Sequence, residues 1–158
     1  MLERILVLVS EVCRHGEPVR EDSSPVTIRV AVPDLLEAAG QLQRHPELLF
    51  DMLSCVTGID NGPDKDSMEV VYTFCSIPNE CQVSLKVVTP RADPMVPSLS
   101  ALWKTADWQE REVFDLYGIR FSDHPDLRRI LLPADWEGYP LRKDYVQQDY
   151  YRNIQVKY

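Results

Sequence analysis

The chain has 158 residues, enough for one domain with a hydrophobic core that needs no disulfide or metal to stabilise it. Hydrophobic residues make up 44% and charged residues 27%, and the formal net charge of −8 disfavours contact with nucleic acid or anionic lipid headgroups. We therefore expect a globular domain that neither binds nucleic acid nor inserts directly into a membrane.

The first part of the chain predicts a helix, a strand and a second helix. Residues 2–14 place their apolar side chains on one face of a helix. The apolar run Ile5–Val9 is too short, and too closely flanked by charges, for a signal peptide or a membrane span. Residues 26–32 alternate between apolar and polar side chains, which predicts a half-buried strand. Residues 33–44 predict the second helix, because proline suits its first turn.

The middle of the chain predicts further strands at residues 49–59, 67–76 and 81–89. Polar segments rich in turn residues separate these strands, as in successive hairpins. Together with the earlier elements they predict an α+β fold, in which a mainly antiparallel sheet of about four strands packs against a helical layer.

A third helical region is predicted from the pattern of caps. Residues 98–103 are expected to start a helix that continues into residues 107–117. Asp107 and Glu110 have the spacing of a capping box at the start of the second part. Gly118 is the expected left-handed terminator.

The residues after Arg120 show little periodicity but many aromatic side chains. Of the 14 aromatic residues, 11 lie between Trp103 and Tyr158. A disordered tail would be depleted in aromatics, so this one either folds back on its own domain or binds another protein. Its tyrosines and arginines favour the second alternative. We therefore divide the chain into an α+β domain, residues 1–120, and an extended partner-binding tail, residues 121–158.

The stretch 107–129 has six carboxylates, four arginines and one histidine. One interpretation is an acid–base or metal site made of Glu110, Glu112, Asp115 and His124. Dense and nearly balanced charge is more typical of paired ions, and Arg111 is spaced for an i,i+4 pair with Asp115. We therefore predict no catalytic residue, but a structural ion network consisting of Glu110, Arg111, Glu112, Asp115, His124, Arg128 and Arg129.

The four cysteines are Cys13, Cys55, Cys75 and Cys81, and none of them forms a CxxC pair. Zinc and iron–sulfur sites usually need such a close pair. Cys75 and Cys81 flank a predicted turn and could face each other across it, which leaves a metal or redox role as an alternative. We expect reduced cysteines that serve as small apolar side chains, and no metal or cofactor in this chain.

Two motifs carry a family resemblance. The run EREVFDLYGIRFSDHPDLRRIL, Glu110–Leu131, resembles the signature of the C subunit, or 30 kDa subunit, of proton-translocating NADH:quinone oxidoreductase, respiratory complex I. The stretch Pro140–Tyr145 resembles the second hallmark of that family, Pro-Leu-Arg-Lys-Asp followed by an aromatic residue. The two motifs cover about a quarter of the chain, and the predicted α+β fold agrees with the family.

This resemblance implies a non-catalytic subunit in the peripheral arm of an oxidoreductase and translocase, with no catalysis by this chain alone. The complex uses FMN, iron–sulfur clusters, NADH and quinone, but the C subunit holds none of them. Its main partner would be the D subunit, which helps to form the quinone pocket, with cluster-bearing subunits nearby. The resemblance places it peripherally at the cytoplasmic face of the bacterial inner membrane, as the form not fused to the D subunit.

We expect the tail to contact its partners through aromatic anchors and charged residues. These are Trp136, Tyr139, Pro140, Leu141, Arg142, Lys143, Asp144, Tyr145, Tyr150 and Tyr151. Two alternatives remain open. The chain could be the equivalent subunit of a membrane-bound hydrogenase or of a dehydrogenase that uses another electron donor, or it could be a stand-alone metal-dependent hydrolase.

Overall fold

The computed structural model of the chain describes residues 2–156. Its α-helices are Leu2–Val12 (α1), Leu35–Arg44 (α2) and Lys104–Tyr117 (α3). A short 3₁₀ turn, Val32–Asp34, leads into α2. Across the described part of the chain, no helix is both long enough and apolar enough to cross a membrane.

Within residues 2–156, the main sheet has five strands. In chain order they are Val19–Glu21 (β1), Thr27–Arg29 (β2), Met52–Asp60 (β3), Ser67–Ser76 (β4) and Cys81–Pro90 (β5). Their order in space is β1-β2-β5-β4-β3, and only the β2–β5 pair is parallel. The predicted α+β fold is confirmed, but the sheet is mixed and has one strand more than expected.

In the described part of the chain, four short strands form two further ladders. Met95–Pro97 (β6) pairs in parallel with Arg120–Ser122 (β7), and Tyr150–Tyr151 (β8) pairs with Ile154–Gln155 (β9) in an antiparallel hairpin. Strands of two or three residues are too short to show a period of two, so the sequence did not predict them.

The core lies between one face of the main sheet and the helices. The register aligns Ile28, Leu85, Tyr72 and Val56 in a row across four strands, and all four side chains are buried. Side chains point alternately to the two faces, which explains the alternating burial along β4. The helix α3 packs along β3, the strand at one edge of the sheet.

The prediction of a helix at residues 98–103 is wrong. The carboxylate of Glu110 accepts hydrogen bonds from the Ser98 hydroxyl at 2.6 Å and from the Leu99 N–H at 2.7 Å, which hold this segment in a turn. The helix α3 begins only after Trp103, and no side chain caps it. The expected capping box is therefore absent, because Glu110 binds residues before the helix.

Two glycines allow the close packing around α3. Gly118 ends the helix as predicted, with φ at 74°, and its N–H donates to the Phe114 carbonyl at 2.8 Å. Gly58 lies where α3 approaches β3, and a Cβ there would lie 2.8 Å from the ring of Tyr117. Glycine at this position therefore sets the distance between helix and strand.

The hairpin between β4 and β5 does not bring Cys75 and Cys81 face to face. The register pairs Cys75 with Gln82 and Ser76 with Cys81, so the two cysteines point to opposite faces of the sheet. All four cysteines are free thiols.

Candidate functional site

Asp115 anchors the beginning of the tail to α3. Its carboxylate is fully buried and accepts hydrogen bonds from the N–H groups of Ile130, Leu131 and Leu132 at 2.7–3.0 Å. It also pairs with the guanidinium of Arg129 at 2.8 Å. Burial alone would raise the pKa of Asp115, but these hydrogen bonds outweigh it and hold the pKa below its ordinary value. Asp115 is thus a charged carboxylate that fixes three successive residues of the tail.

Arg129 extends this anchor further along the tail. Its second terminal nitrogen donates to the carbonyls of Trp136 at 3.2 Å and Gly138 at 2.9 Å. The guanidinium lies over the ring of Tyr139, at 5.1 Å from its centroid. One arginine therefore links α3 to two later turns of the tail.

His124 is a fully buried side chain that bonds to backbone groups. Its Nδ1 accepts from the Asp126 N–H at 3.1 Å, so in the neutral imidazole Nε2 carries the proton and donates to the Asp107 carbonyl at 3.0 Å. The same Nε2 lies 4.0 Å from the Glu110 carboxylate. Both ring nitrogens have partners, so the histidine holds the turn after β7 against α3.

Glu110 is a buried carboxylate whose pKa lies near neutrality. Burial raises its pKa from 4.5 to about 7, against the hydrogen bonds from Ser98 and Leu99, and the negative charge of Asp107 adds to the rise. Since the folded-state pKa exceeds the ordinary one, folding becomes less favourable as the pH rises from about 4.5 to about 7.

We expect Glu110→Gln to remove this loss of stability, because the amide does not titrate and still presents one acceptor oxygen. Between pH 4.5 and pH 8 the unfolding free energy of the unchanged protein should fall relative to that of the variant by about 3 kcal/mol. Urea unfolding at both pH values measures this difference. Glu112→Gln, an exposed change on the same helix, should keep the original pH dependence. Equal pH dependence in protein and Glu110→Gln variant would contradict the assignment.

The remaining members of the predicted ion network have other partners. Arg111 is buried, donates to the Arg128 carbonyl at 3.3 Å and lies over the ring of Trp108 at 5.0 Å. Arg128 pairs with Asp126 at the surface. Glu112 is exposed.

The structure therefore brings Asp115 together with Arg129, and Glu110 near His124, in two separate groups. The i,i+4 spacing of Arg111 and Asp115 is not used, because the Asp115 oxygens are occupied by the tail. That all seven residues act as one network remains a prediction.

A second cluster, which we call the Asp60 latch, consists of Asp60, Arg91, Lys143 and Asp144. The buried carboxylate of Asp60, at the end of β3, pairs with Arg91 Nε at 2.9 Å and accepts from the backbone N–H of Lys143 at 2.8 Å. Arg91 also pairs with Asp144. Burial opposes the charge on Asp60, but the bonds from Arg91, Lys143 and the Gly62 N–H lower its pKa to about 2. The latch fixes the Pro140–Tyr145 motif to the sheet.

Sequence reasoning missed Asp60 and Arg91, since neither lies in a recognisable motif. Asp60 follows an alternating strand and Arg91 follows another, and such positions are usually solvent-exposed turns. The signal available was that Asp60 ends β3 and Arg91 follows the end of β5. Both strands run antiparallel to β4, which lies between them, so their ends lie at the same end of the sheet.

The residues next to the latch pack on the end of α3. The ring of Tyr139 lies against Gly118, where a Cβ would come within 2.5 Å of it. Arg142 Nε donates to the Tyr117 carbonyl at 2.6 Å, and its guanidinium lies 4.8 Å from the centroid of the Tyr139 ring. Arg142 therefore satisfies a carbonyl of the last helical turn.

Trp136 contacts two other aromatic residues of the tail. Trp136 packs against Tyr151, with ring centroids 5.3 Å apart, and donates to the Tyr145 hydroxyl at 3.2 Å. The Tyr151 hydroxyl donates to Asp135 at 2.7 Å, and Arg152 pairs with the same carboxylate. Tyr150 is 63% exposed, and Tyr158 lies outside the described residues. This part of the tail is held mainly by its own side chains.

The polar groups described above bind backbone and one another, and no nucleophile–base pair is formed by them. Within residues 2–156, no three His, Cys, Asp or Glu side chains are grouped so that they could hold a metal ion.

Several apolar side chains of the tail face outwards. This tail apolar surface consists of Leu131, Leu141, Val146, Tyr150 and Ile154. Exposed apolar side chains that adjoin one another are typical of a protein contact.

Comparison with protein families gives one match that covers most of the chain. The family described as "Respiratory-chain NADH dehydrogenase, 30 Kd subunit" matches residues 28–151. This range includes both motifs, the Asp115 anchor and the Asp60 latch.

Curated relatives carry consistent names. The chain is 45% identical over 150 residues to the C subunit of the NADH-quinone oxidoreductase of Chloroherpeton thalassium, in a match that covers 92% of this chain and 62% of the relative. It is 43% identical over 118 residues to the protein of the same name from Chlorobium phaeobacteroides, with 74% of this chain and 70% of that relative covered. The chain thus spans about three fifths of the length of the first relative.

Solved structures share the fold. The trypsin-resistant fragment of Nqo5 superposes with a TM-score of 0.66 at 28% identity, covering 80% of this chain and 98% of the fragment. A chain of the membrane-bound sulfane sulfur reductase, an archaeal respiratory membrane complex, gives a TM-score of 0.74 at 19% identity and covers 91% of this chain and 85% of that chain. The second likeness concerns the fold alone.

Proposed function

Because the chain belongs to the family of the 30 kDa subunit of respiratory-chain NADH dehydrogenase, we propose that it is the C subunit of an NADH:quinone oxidoreductase. In this role it performs no chemistry itself. It holds the D subunit and the neighbouring cluster-bearing subunits in place, so that electrons can pass from NADH to quinone. Flavin, clusters and quinone are held by the partners, at the cytoplasmic face of the membrane.

The observation that carries this proposal is the way the tail is fixed. The Asp115 anchor and the Asp60 latch bind the tail through buried charges, whereas Leu131, Leu141 and Ile154 remain exposed by about half or more of their surface. A rigid segment that presents apolar side chains loses little entropy when it binds. We therefore divide the roles between an α+β domain, residues 1–120, and a partner-binding tail, residues 121–158.

Arg142 and Lys143 of the second motif were expected to contact the partner, but the structure gives them a different role. Both residues contact their own domain, through the Tyr117 carbonyl and the Asp60 carboxylate. We propose that they position the tail, while the tail apolar surface contacts the partner. Rigid placement matters because electron transfer and quinone access depend on fixed distances between cofactor-bearing subunits.

The experiment is a capture of the tagged full-length chain from detergent-solubilised membranes of its host. We expect a D-type subunit and cluster-bearing subunits in the captured material, together with bound flavin and iron. Mass spectrometry of the polypeptides and elemental and flavin analysis measure this outcome. Capture with a hydrogenase instead, or of a lone chain holding stoichiometric metal, would contradict the proposal.

A matched pair of variants tests the tail apolar surface. Ile154→Asp changes a side chain of the tail that is 65% exposed, and Val7→Asp changes a side chain of α1 that is 57% exposed. Both isolated variants should melt like the unchanged protein, since neither side chain is buried. We expect Ile154→Asp to reduce the recovered partner subunits severalfold and Val7→Asp to leave them unchanged. Equal recovery with both variants would contradict a role of this surface.

A further inference from the structure

The free edge of β3 and the helix α3 enclose a groove that the contacts described above leave open. The groove has a volume of about 270 Å³, and five consecutive strand residues, 54–58, form one wall. One face of α3 forms the other wall through Gln109 and Glu112. Val113 of α3 and Leu141 of the tail form the floor.

The strand wall offers unpaired backbone groups. β3 is the last strand of the sheet, so alternate N–H and C=O groups point away from β4. Within residues 2–156, the backbone of residues 55–58 makes no hydrogen bond outside the β3–β4 ladder. The strand is regular there, because its bulge lies earlier, between Leu53 and Cys55. The open edge is therefore a template for one more strand.

Both ends of this edge are occupied by the chain itself. The Thr105 hydroxyl donates to the Leu53 carbonyl at 3.2 Å, and the Lys143 N–H binds Asp60 at the other end. The free stretch between them is about 17 Å long for five residues. An added segment of four or five residues would fill it.

Two side chains of the helix wall carry acceptor oxygens that are available to a ligand. The Gln109 side-chain oxygen is buried and has no hydrogen-bond partner in the described part of the chain. The Glu112 carboxylate is exposed, and within residues 2–156 it belongs to no ion pair. A buried acceptor without a partner is unfavourable, and a ligand that donates a hydrogen bond to it would remove that cost. The floor, formed by Val113 and Leu141, is apolar.

We propose that this groove binds an extended segment of a partner polypeptide, which adds as a sixth strand to the edge of β3. The segment carries an apolar side chain for the floor and, on the same face, a lysine or arginine for Glu112. Strand addition between a sheet edge and a helix gains affinity from main-chain hydrogen bonds and specificity from alternate side chains. This inference rests on the proposed function, since it names a surface against which one of the partner subunits packs.

Amide hydrogen exchange, followed by mass spectrometry, tests the hydrogen bonds themselves. The full-length chain is compared alone and in the assembly captured from solubilised membranes. We expect at least two amides within residues 54–58 to exchange tenfold or more slowly in the assembly. Unchanged exchange in an assembly that contains partner subunits would overturn the inference and leave the proposed function intact.

A charge reversal with a matched control completes the test. Glu112→Lys should abolish the slow exchange and reduce partner recovery severalfold, whereas Glu11→Lys, an exposed change on α1, should alter neither. Slow exchange already present in the isolated chain, with a dimer in sedimentation, would assign the edge to a second copy and overturn the inference. Slow exchange in an assembly with partners other than NADH dehydrogenase subunits would support the strand addition but contradict the proposed function. Capture of no partner polypeptide would overturn both the strand addition and the proposed function.

Discussion

Replacing Asp115 by asparagine is expected to lower the free energy of unfolding by about 3–5 kcal/mol, because removal of one partner leaves the other charge of a nearly buried pair uncompensated. The asparagine also presents an NH₂ group to a site at which three backbone N–H groups of the tail already donate. The loss of stability should loosen mainly the tail, because its backbone N–H groups bind Asp115. Limited proteolysis should therefore cut near residues 129–132 first. Urea unfolding at pH 7 measures the total effect.

The control for this change is Asp126→Asn. Asp126 also pairs with an arginine, Arg128, but at the exposed surface, so its loss should leave the urea midpoint unchanged. If the two variants unfolded at the same urea concentration, Asp115 would not anchor the tail. Slow proteolysis of Asp115→Asn near residues 129–132 would lead to the same conclusion.

The fold was largely predictable because its longest elements have strong local patterns. The alternation along β4 and β5 and the apolar face of α2 predicted their bounds within about two residues. The helix at residues 98–103 was predicted wrongly because the deciding contact, to Glu110, comes from a residue outside the segment. The parallel β2–β5 pair depends on how the chain crosses the sheet, which no local pattern encodes.

The candidate site was predictable only where a motif marked it. Asp115, His124 and Arg129 lie in the first motif, and the structure gives each of them buried partners. The partners themselves are mostly backbone groups of the tail, whose positions depend on the folded chain. Asp60 and Arg91 were missed because the contact between Asp60 and Lys143 joins parts of the chain 83 residues apart.

Replacing Arg91 by alanine is expected to cost about 3–5 kcal/mol of unfolding free energy at pH 7, since the buried Asp60 loses its charged partner. The pKa of Asp60 is lowered in the folded protein, so its contribution is present above about pH 4 and is lost as the pH falls towards 2. In the variant Asp60 stays buried but lacks the pair with Arg91, so its pKa is higher than in the unchanged protein. Acid should therefore destabilise the unchanged protein more than Arg91→Ala between pH 4 and pH 2.

Double-mutant analysis separates the latch from general packing. Asp60→Asn combined with Arg91→Ala should cost much less than the sum of the two single changes, because each removes the same interaction. Arg120→Ala, which breaks the exposed pair with Asp93, should have no measurable effect on unfolding. Hydrogen exchange of residues 140–145 should rise in Arg91→Ala, because Lys143 then loses a fixed acceptor. If the losses of unfolding free energy were additive and the hydrogen exchange of residues 140–145 were unchanged, Arg91 would stabilise only the sheet. The tail would then be held by other contacts.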